Sequence, residues 1–72
     1  MTTVKAIEEK FLKHQKAGAN TYMTLSKNMS GWLKDELLFV GKIEEGCVVV
    51  FRPMDGKLYS LNGEQLLNFN LL

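Results

Sequence analysis

Apolar residues recur at helical spacing near the start of the chain. Three of them stand three and four positions apart: Val4, Ile7 and Phe11. Residues at this spacing share one face of an α-helix, so the pattern predicts a helix over about residues 3–17. Thr2 or Thr3 suits its N-cap and Gly18 suits its end, because a hydroxyl oxygen accepts a first-turn N–H and glycine readily adopts a left-handed conformation.

The segment from residue 20 to 34 has a less regular pattern. Met23 and Leu25 alternate with polar or amphipathic neighbours, which is typical of a short strand exposed on one side. A turn is expected from Ser26 onward. After that turn, Trp32 begins either the next strand or a single helical turn, and the pattern leaves both open.

The second half of the chain predicts a series of β-hairpins over about residues 35–71. Residues that favour turns interrupt its β-branched and aromatic runs at three places: 44–46, 53–56 and 62–63. The last of these is Asn-Gly, which strongly favours a two-residue hairpin joining residues 57–61 to 65–71. The uninterrupted apolar run 47–51 predicts a central strand covered on both faces.

Together these elements predict a single α+β domain spanning residues 1–72. The N-terminal helix would pack on a four- or five-stranded antiparallel β-meander, because the sheet needs its apolar face covered and no other predicted helix is long enough. If residues 21–26 supply a fifth strand, a small half-open barrel becomes an alternative. A chain of 72 residues is too short to divide into two stable cores.

The end of the chain alternates in a way that suggests an exposed edge. Leu67, Phe69 and Leu71 would share one side of a strand, and the two asparagines between them would share the other. Edge strands usually carry lysine or proline, and this one has neither. Either the strand lies inside the sheet, or its edge pairs with a second copy or a partner and forms a homodimer edge.

Charge is nearly balanced overall but differs between the two halves. The formal net charge is +1 at pH 7. Residues 1–34 carry six lysines and two glutamates, which gives +4, whereas residues 35–72 carry three basic and six acidic residues, which gives −3. The whole-molecule charge therefore gives no argument for an anionic partner, and the acidic half would favour a basic one.

Composition argues against catalysis, metal binding and secretion. His14 and Cys47 are the only soft metal ligands and stand on different predicted elements, so we expect neither a metal nor a cofactor. No nucleophile elbow or phosphate-binding glycine loop occurs. The single cysteine excludes an internal disulfide, and the charged first residues lack the apolar core of a secretion signal. We expect a non-enzymatic cytoplasmic protein that does not bind membranes.

Protein binding is the class of function that these exclusions leave. Tyrosine, methionine and tryptophan are enriched in interface cores, and the middle segment holds Tyr22, Met29 and Trp32. Acidic pairs would complement a basic partner: Asp35, Glu36, Glu44 and Glu45. The sequence predicts a small module that regulates or inhibits a larger protein by covering its surface, as phage-encoded inhibitors of host enzymes do.

Nucleic-acid binding is the alternative function. The predicted helix presents Lys5, Lys13 and Lys16 on its polar face, and exposed aromatic residues would stack on bases. The aromatic residues are not spaced as in an RNA-recognition motif, and the strand-forming half is acidic. Both features favour the protein-binding hypothesis.

Overall fold

The chain folds as one long helix on one side of a five-stranded antiparallel sheet, which confirms the predicted α+β class. The computed structural model describes residues 3–72. The strands lie in the order β4-β3-β2-β1-β5, and the sheet is open, not a half-closed barrel. The elements are α1 (Val4–Lys16), β1 (Tyr22–Leu25), β2 (Leu37–Glu44), β3 (Cys47–Arg52), β4 (Lys57–Asn62), α2 (Gly63–Leu66) and β5 (Phe69–Leu71).

Helix α1 begins and ends where the sequence predicts. Oγ1 of Thr3 accepts a hydrogen bond from the backbone N–H of Ala6 at 3.1 Å, so Thr3 is the N-cap. The alternative cap, Thr2, lies outside the described residues. Gly18 follows the C-cap with a φ of +72°, and the chain then turns toward the sheet.

The core lies between α1 and the face of the sheet that α1 covers. Ile7 is fully buried at its centre, and Val4 and Phe11 pack beside it. The predicted strand exposed on one side is confirmed in β1, because Met23 and Leu25 are fully buried while Tyr22 and Thr24 are partly exposed. The other buried members of the core come from β2, β3, β4, α2 and β5: Leu38, Val40, Val48, Val50, Leu61, Leu66 and Phe69.

Two of the predicted turns join strands as expected. Glu44 pairs with Cys47 across a tight turn in which Gly46 has a φ of +68°. Arg52 pairs with Lys57 across a four-residue turn in which Gly56 has a φ of +69°. Such positive φ values strain residues with a side chain, so glycine suits both positions.

The third predicted turn is wrong, because Asn62 and Gly63 do not form a hairpin. The side chain of Asn62 accepts from the N–H of Gln65 at 2.9 Å, and the side chain of Gln65 accepts from the N–H of Asn62 at 2.9 Å. This capping box starts α2, which buries Leu66 and carries the chain to the opposite edge of the sheet. Strand β5 consequently pairs with β1 and not with β4.

The prediction of a central strand at residues 47–51 is also wrong in position. Strand β3 lies second from one edge, and β2 occupies the centre. The middle of the apolar run is nevertheless buried, because Val48 and Val50 belong to the core and Val49, on the opposite face of the sheet, is only 9% exposed. The uninterrupted apolar run therefore predicted that β3 is not an edge strand, but it did not predict the position of β3 in the strand order.

We predict that Ile7→Ala lowers the free energy of unfolding by about 2–5 kcal/mol, because it leaves a cavity between α1 and the sheet. Urea titration followed by far-UV circular dichroism measures the change. Leu12→Ala is the matched control on the same helix, since Leu12 is 49% exposed, and its cost should stay near ~0.5 kcal/mol. Equal losses in the two variants would contradict the packing of α1 described here.

Candidate functional site

The side of the sheet opposite α1, called here the open face, carries a row of apolar side chains. Strand pairing places Tyr22 opposite Phe39, Phe39 opposite Phe51 and Phe51 opposite Leu58. Side chains of directly opposed residues lie on the same face, so these four form a continuous row across β1, β2, β3 and β4. Leu37 stands two residues before Phe39 in β2 and shares this face.

These five residues, called here the apolar stripe, are separate from the core. None belongs to the buried cluster or packs against it among the described residues. The rings of Tyr22 and Phe39 meet edge to face at 5.0 Å, and those of Phe39 and Phe51 stack at 6.2 Å. Leu58 is 66% exposed and Leu37 is 41% exposed. Tyr22, Phe39 and Phe51 are partly buried, so the stripe is an apolar cluster that is exposed at Leu37 and Leu58 and partly exposed at its three aromatic rings.

Thr24, Ser60, the ion pair Lys42–Glu44 and the buried Val49 flank the apolar stripe on the open face. Thr24 lies beside Leu37, and Ser60 lies beside Val49 on the same face. The charged strand residues of the open face are Lys42 and Glu44, whose Nζ and Oε1 atoms lie 2.9 Å apart. Because the charges of Lys42 and Glu44 cancel, the strand residues of the open face carry no net charge.

A β-bulge at Gly41 determines which residues reach the open face. Near the turn, Glu44 pairs with Cys47, and continuing that register would place Phe39 opposite Arg52 on the side covered by α1. The register shifts between Val40 and Lys42. As a result Phe39 pairs with Phe51 and points to the open face.

A second cluster, on the covered side, centres on Arg52. Its Nε and Nη2 atoms both donate to the carboxylate of Glu36, the latter at 3.1 Å, and Nη2 also donates to the carbonyl oxygen of Gly31 at 2.6 Å. The side chains of Arg52 and Glu36 are only 11% and 9% exposed. Arg52 thereby fastens the loop of residues 26–36 to the end of the sheet.

Trp32 packs within this cluster and adopts neither of the two conformations predicted for it. It closes a tight turn with Met29, in which each residue donates its N–H to the other's carbonyl oxygen at 2.9 Å. The guanidinium of Arg52 lies 4.3 Å from the centre of the Trp32 ring. The ring also meets Tyr59 edge to face at 4.9 Å and Phe69 at 6.1 Å.

Hydrogen bonding within the cluster shifts four pKa values. The bond from Arg52 holds the pKa of the Glu36 carboxyl below its ordinary value, and the bond to Glu36 raises the pKa of Arg52. The hydroxyl of Tyr59 donates to Asp55, which lowers the pKa of Asp55 and raises that of Tyr59. All four groups are held in their ordinary charge states at neutral pH, as expected of a structural cluster.

The structure distributes the predicted contact residues over several surfaces. Tyr22 lies in the apolar stripe, whereas Met29 and Trp32 lie on the covered side and pack against the core. Glu36 is bound by Arg52, and Glu44 pairs with Lys42. Asp35, with a φ of 66°, and Glu45 are exposed in turns at opposite ends of β2.

The three residues predicted to form a dimer edge do not share one exposed surface. Phe69 is 3% exposed and belongs to the core, and Leu71 packs against that core. Leu67 is the C-cap of α2 and is 53% exposed. Strand β5 pairs with β1 and stands last in the strand order, so it is an edge strand and the alternative of a strand inside the sheet is wrong.

Sequence reasoning did not select Phe39, Phe51 and Leu58 as contact residues. Counting back from the turn at residues 53–56 already pairs Phe51 with Leu58, so that part of the stripe was accessible from the sequence. The face on which Phe39 lies could not be predicted in the same way, because it depends on the bulge at Gly41.

Comparisons with protein-family models, curated proteins and solved structures find no match to this chain. Across residues 3–72, no helix is long and apolar enough to cross a membrane. The same part of the chain contains no group of three or more histidine, cysteine, aspartate or glutamate residues arranged to hold a metal ion. His14 is instead hydrogen-bonded to the buried Thr21, with 3.0 Å between Nδ1 and Oγ1.

We predict that Glu36→Gln reduces the loss of stability at acid pH. Folding lowers the pKa of Glu36 from its ordinary value of 4.5, so its ionised form stabilises the protein above that pH. This contribution is lost as the pH falls through the folded-state pKa. Urea unfolding at pH 7 and pH 3 should show a smaller difference in Glu36→Gln than in the original protein.

Glu45→Gln is the matched control, because Glu45 is exposed in a turn. Its acid sensitivity should equal that of the original protein. If Glu36→Gln also follows the original pH profile, the ion pair with Arg52 does not contribute to acid stability.

Proposed function

We propose that this protein is a non-enzymatic protein-binding module that regulates a larger protein by covering part of its surface. The observation that carries the proposal is the apolar stripe, which crosses four strands of the open face. Antiparallel sheets usually present polar side chains on a face that no layer covers. Contiguous exposed apolar side chains rimmed by polar ones are typical of interaction sites.

The composition of the apolar stripe suits a protein partner. Aromatic residues supply large contact areas at interface cores, and fully burying an apolar side chain such as Leu58 is worth about 1.5–3 kcal/mol. The neutral rim, which includes Thr24 and Ser60, offers hydrogen bonds without the cost of removing water from unpaired charges. The stripe would therefore form the centre of an interface and its polar neighbours the edge.

The charge distribution favours this proposal over the nucleic-acid alternative. Single-stranded nucleic acids need cations close to the stacking rings. The lysines Lys5, Lys13 and Lys16 are exposed on α1, which covers the other side of the sheet. On the open face, Lys42 is already paired with Glu44. No strand position beside the aromatic rings therefore supplies an unpaired cation to hold a phosphate backbone.

We predict that Leu58→Glu weakens binding of a protein partner at least about tenfold, equivalent to ~1.4 kcal/mol. Leu58 is exposed on an edge strand, so the substitution should preserve the fold while placing a charge in the apolar contact. The experiment captures partners on the tagged protein from nuclease-treated lysate of its source cell. Mass spectrometry identifies stoichiometric partners, and calorimetry with the purified partner measures affinity.

Leu12→Glu is the matched control, because Leu12 is an exposed leucine on α1, remote from the open face. It should retain the partner with unchanged affinity. Loss of the partner with Leu12→Glu and not with Leu58→Glu would contradict the proposed surface. Partners that disappear on nuclease treatment and with Lys13→Glu would support the nucleic-acid alternative.

A further inference from the structure

We infer that the Asn62–Gly63 bond is a site of spontaneous deamidation, and that the capping box of α2 suppresses this reaction in the folded chain. Asn-Gly occurs once in the sequence, and both residues are exposed where β4 meets α2. The inference concerns the chemistry of this one bond. It is independent of the apolar stripe and of the proposed function.

Deamidation at such a pair is an attack by the backbone on a side chain. The backbone nitrogen of Gly63 forms a bond to Cγ of Asn62, and the bond from Cγ to Nδ2 breaks. Nδ2 leaves as ammonia and takes with it the hydrogen of the Gly63 amide. Water then opens the resulting five-membered succinimide ring at either of its carbonyl carbons, which gives aspartate or isoaspartate.

The attacking nitrogen belongs to a residue that does not obstruct the reaction. Gly63 is the first residue of α2, and the first N–H groups of a helix have no acceptor within that helix. Glycine has no side chain to hinder ring closure. The surroundings are open as well, because a Cβ at this position would have no heavy atom beyond its chain neighbours within 4 Å.

The capping box opposes the attack by holding the Asn62 side chain in another position. Its Oδ1 atom accepts from the N–H of Gln65 at 2.9 Å, and Oε1 of Gln65 accepts from the N–H of Asn62 at 2.9 Å. Ring closure requires Cβ of Asn62 to rotate into the plane of the Gly63 amide. The ψ of Asn62 is 175°, which keeps Cβ out of that plane. The reaction therefore requires the start of α2 to open.

The two products would affect the fold differently. Aspartate at position 62 keeps an oxygen for the cap and adds a negative charge at the start of a helix, where such a charge is favourable. Isoaspartate routes the backbone through Cγ, which lengthens the main chain by one methylene group and removes the capping geometry. Because α2 buries Leu66 and leads to Phe69 in β5, isoaspartate would loosen the attachment of the last strand.

Peptide mapping by mass spectrometry, over time in weakly alkaline buffer, tests the inference. The folded full chain should deamidate at Asn62 at least about tenfold more slowly than the same chain unfolded in guanidinium chloride, because only the locally opened fraction reacts. Gly63→Ala should slow the reaction in the unfolded chain, since a side chain on residue 63 hinders ring closure. This result would assign the reaction to the Asn62–Gly63 bond.

Two substitutions of Gln65 test the capping box itself. Gln65→Ala should raise the rate in the folded chain about fivefold, since loss of one capping interaction enlarges the opened population by that factor. Gln65→Glu is the matched control, because glutamate also completes a capping box, and its rate should equal that of the original protein. Circular dichroism establishes that both variants are folded.

A folded chain that deamidates as fast as the unfolded one would overturn the inference, and so would equal rates in Gln65→Ala and Gln65→Glu. An unfolded chain that keeps Asn62 intact would overturn it as well. The isolated isoaspartyl form should unfold at a lower urea concentration than the original protein, whereas Asn62→Asp should not. Equal urea midpoints for the isoaspartyl form and the original protein would overturn the expected effect on β5.

Discussion

One long helix can cover only one face of a sheet, and this constraint shapes the rest of the molecule. Helix α1 buries the side of the sheet that contains Met23, Leu38 and Val50. The only other helix within residues 3–72 is α2, which has four residues and serves mainly to carry the chain between the two edges. The opposite face therefore stays uncovered, and the residues placed there determine what the protein can contact.

Because the single helix also leaves one end of the core uncovered, a side-chain cluster completes it. Arg52 joins the β3–β4 hairpin to the loop of residues 26–36 through Glu36 and Gly31, and its guanidinium packs on Trp32. Such an ion pair is stabilising only when its remaining hydrogen-bonding groups are also satisfied. Here the same carboxylate accepts from the N–H of Leu33 at 3.2 Å, so the loop has a defined position over the core.

Local patterns predicted the elements, and non-local packing determined their arrangement. The spacing of Val4, Ile7 and Phe11 located α1, and alternation around Met23 located β1. Asn62 led to the wrong prediction of a hairpin, because asparagine suits both a tight turn and an N-cap. The choice between them depends on Gln65, which completes the capping box. Gly41 inside the run 37–43 is a local signal of a bulge, but it does not give the register of the two strands. The pairing of Glu36 with Arg52 is non-local, so the effects of both features on the candidate site were not predicted.

The positions of polar and apolar residues within the open face bear on function more directly than their relative numbers. The sequence places Thr24 and Ser60 at neighbouring positions of this face, so polar residues are compatible with these strands. Four large apolar residues instead form one row that the bulge at Gly41 brings into register, and Leu37 and Val49 lie beside that row on the same face. Stability of the covered side does not require that row, because its members lie outside the core. This continuous apolar row outside the core is the observation on which the proposed contact with another molecule rests.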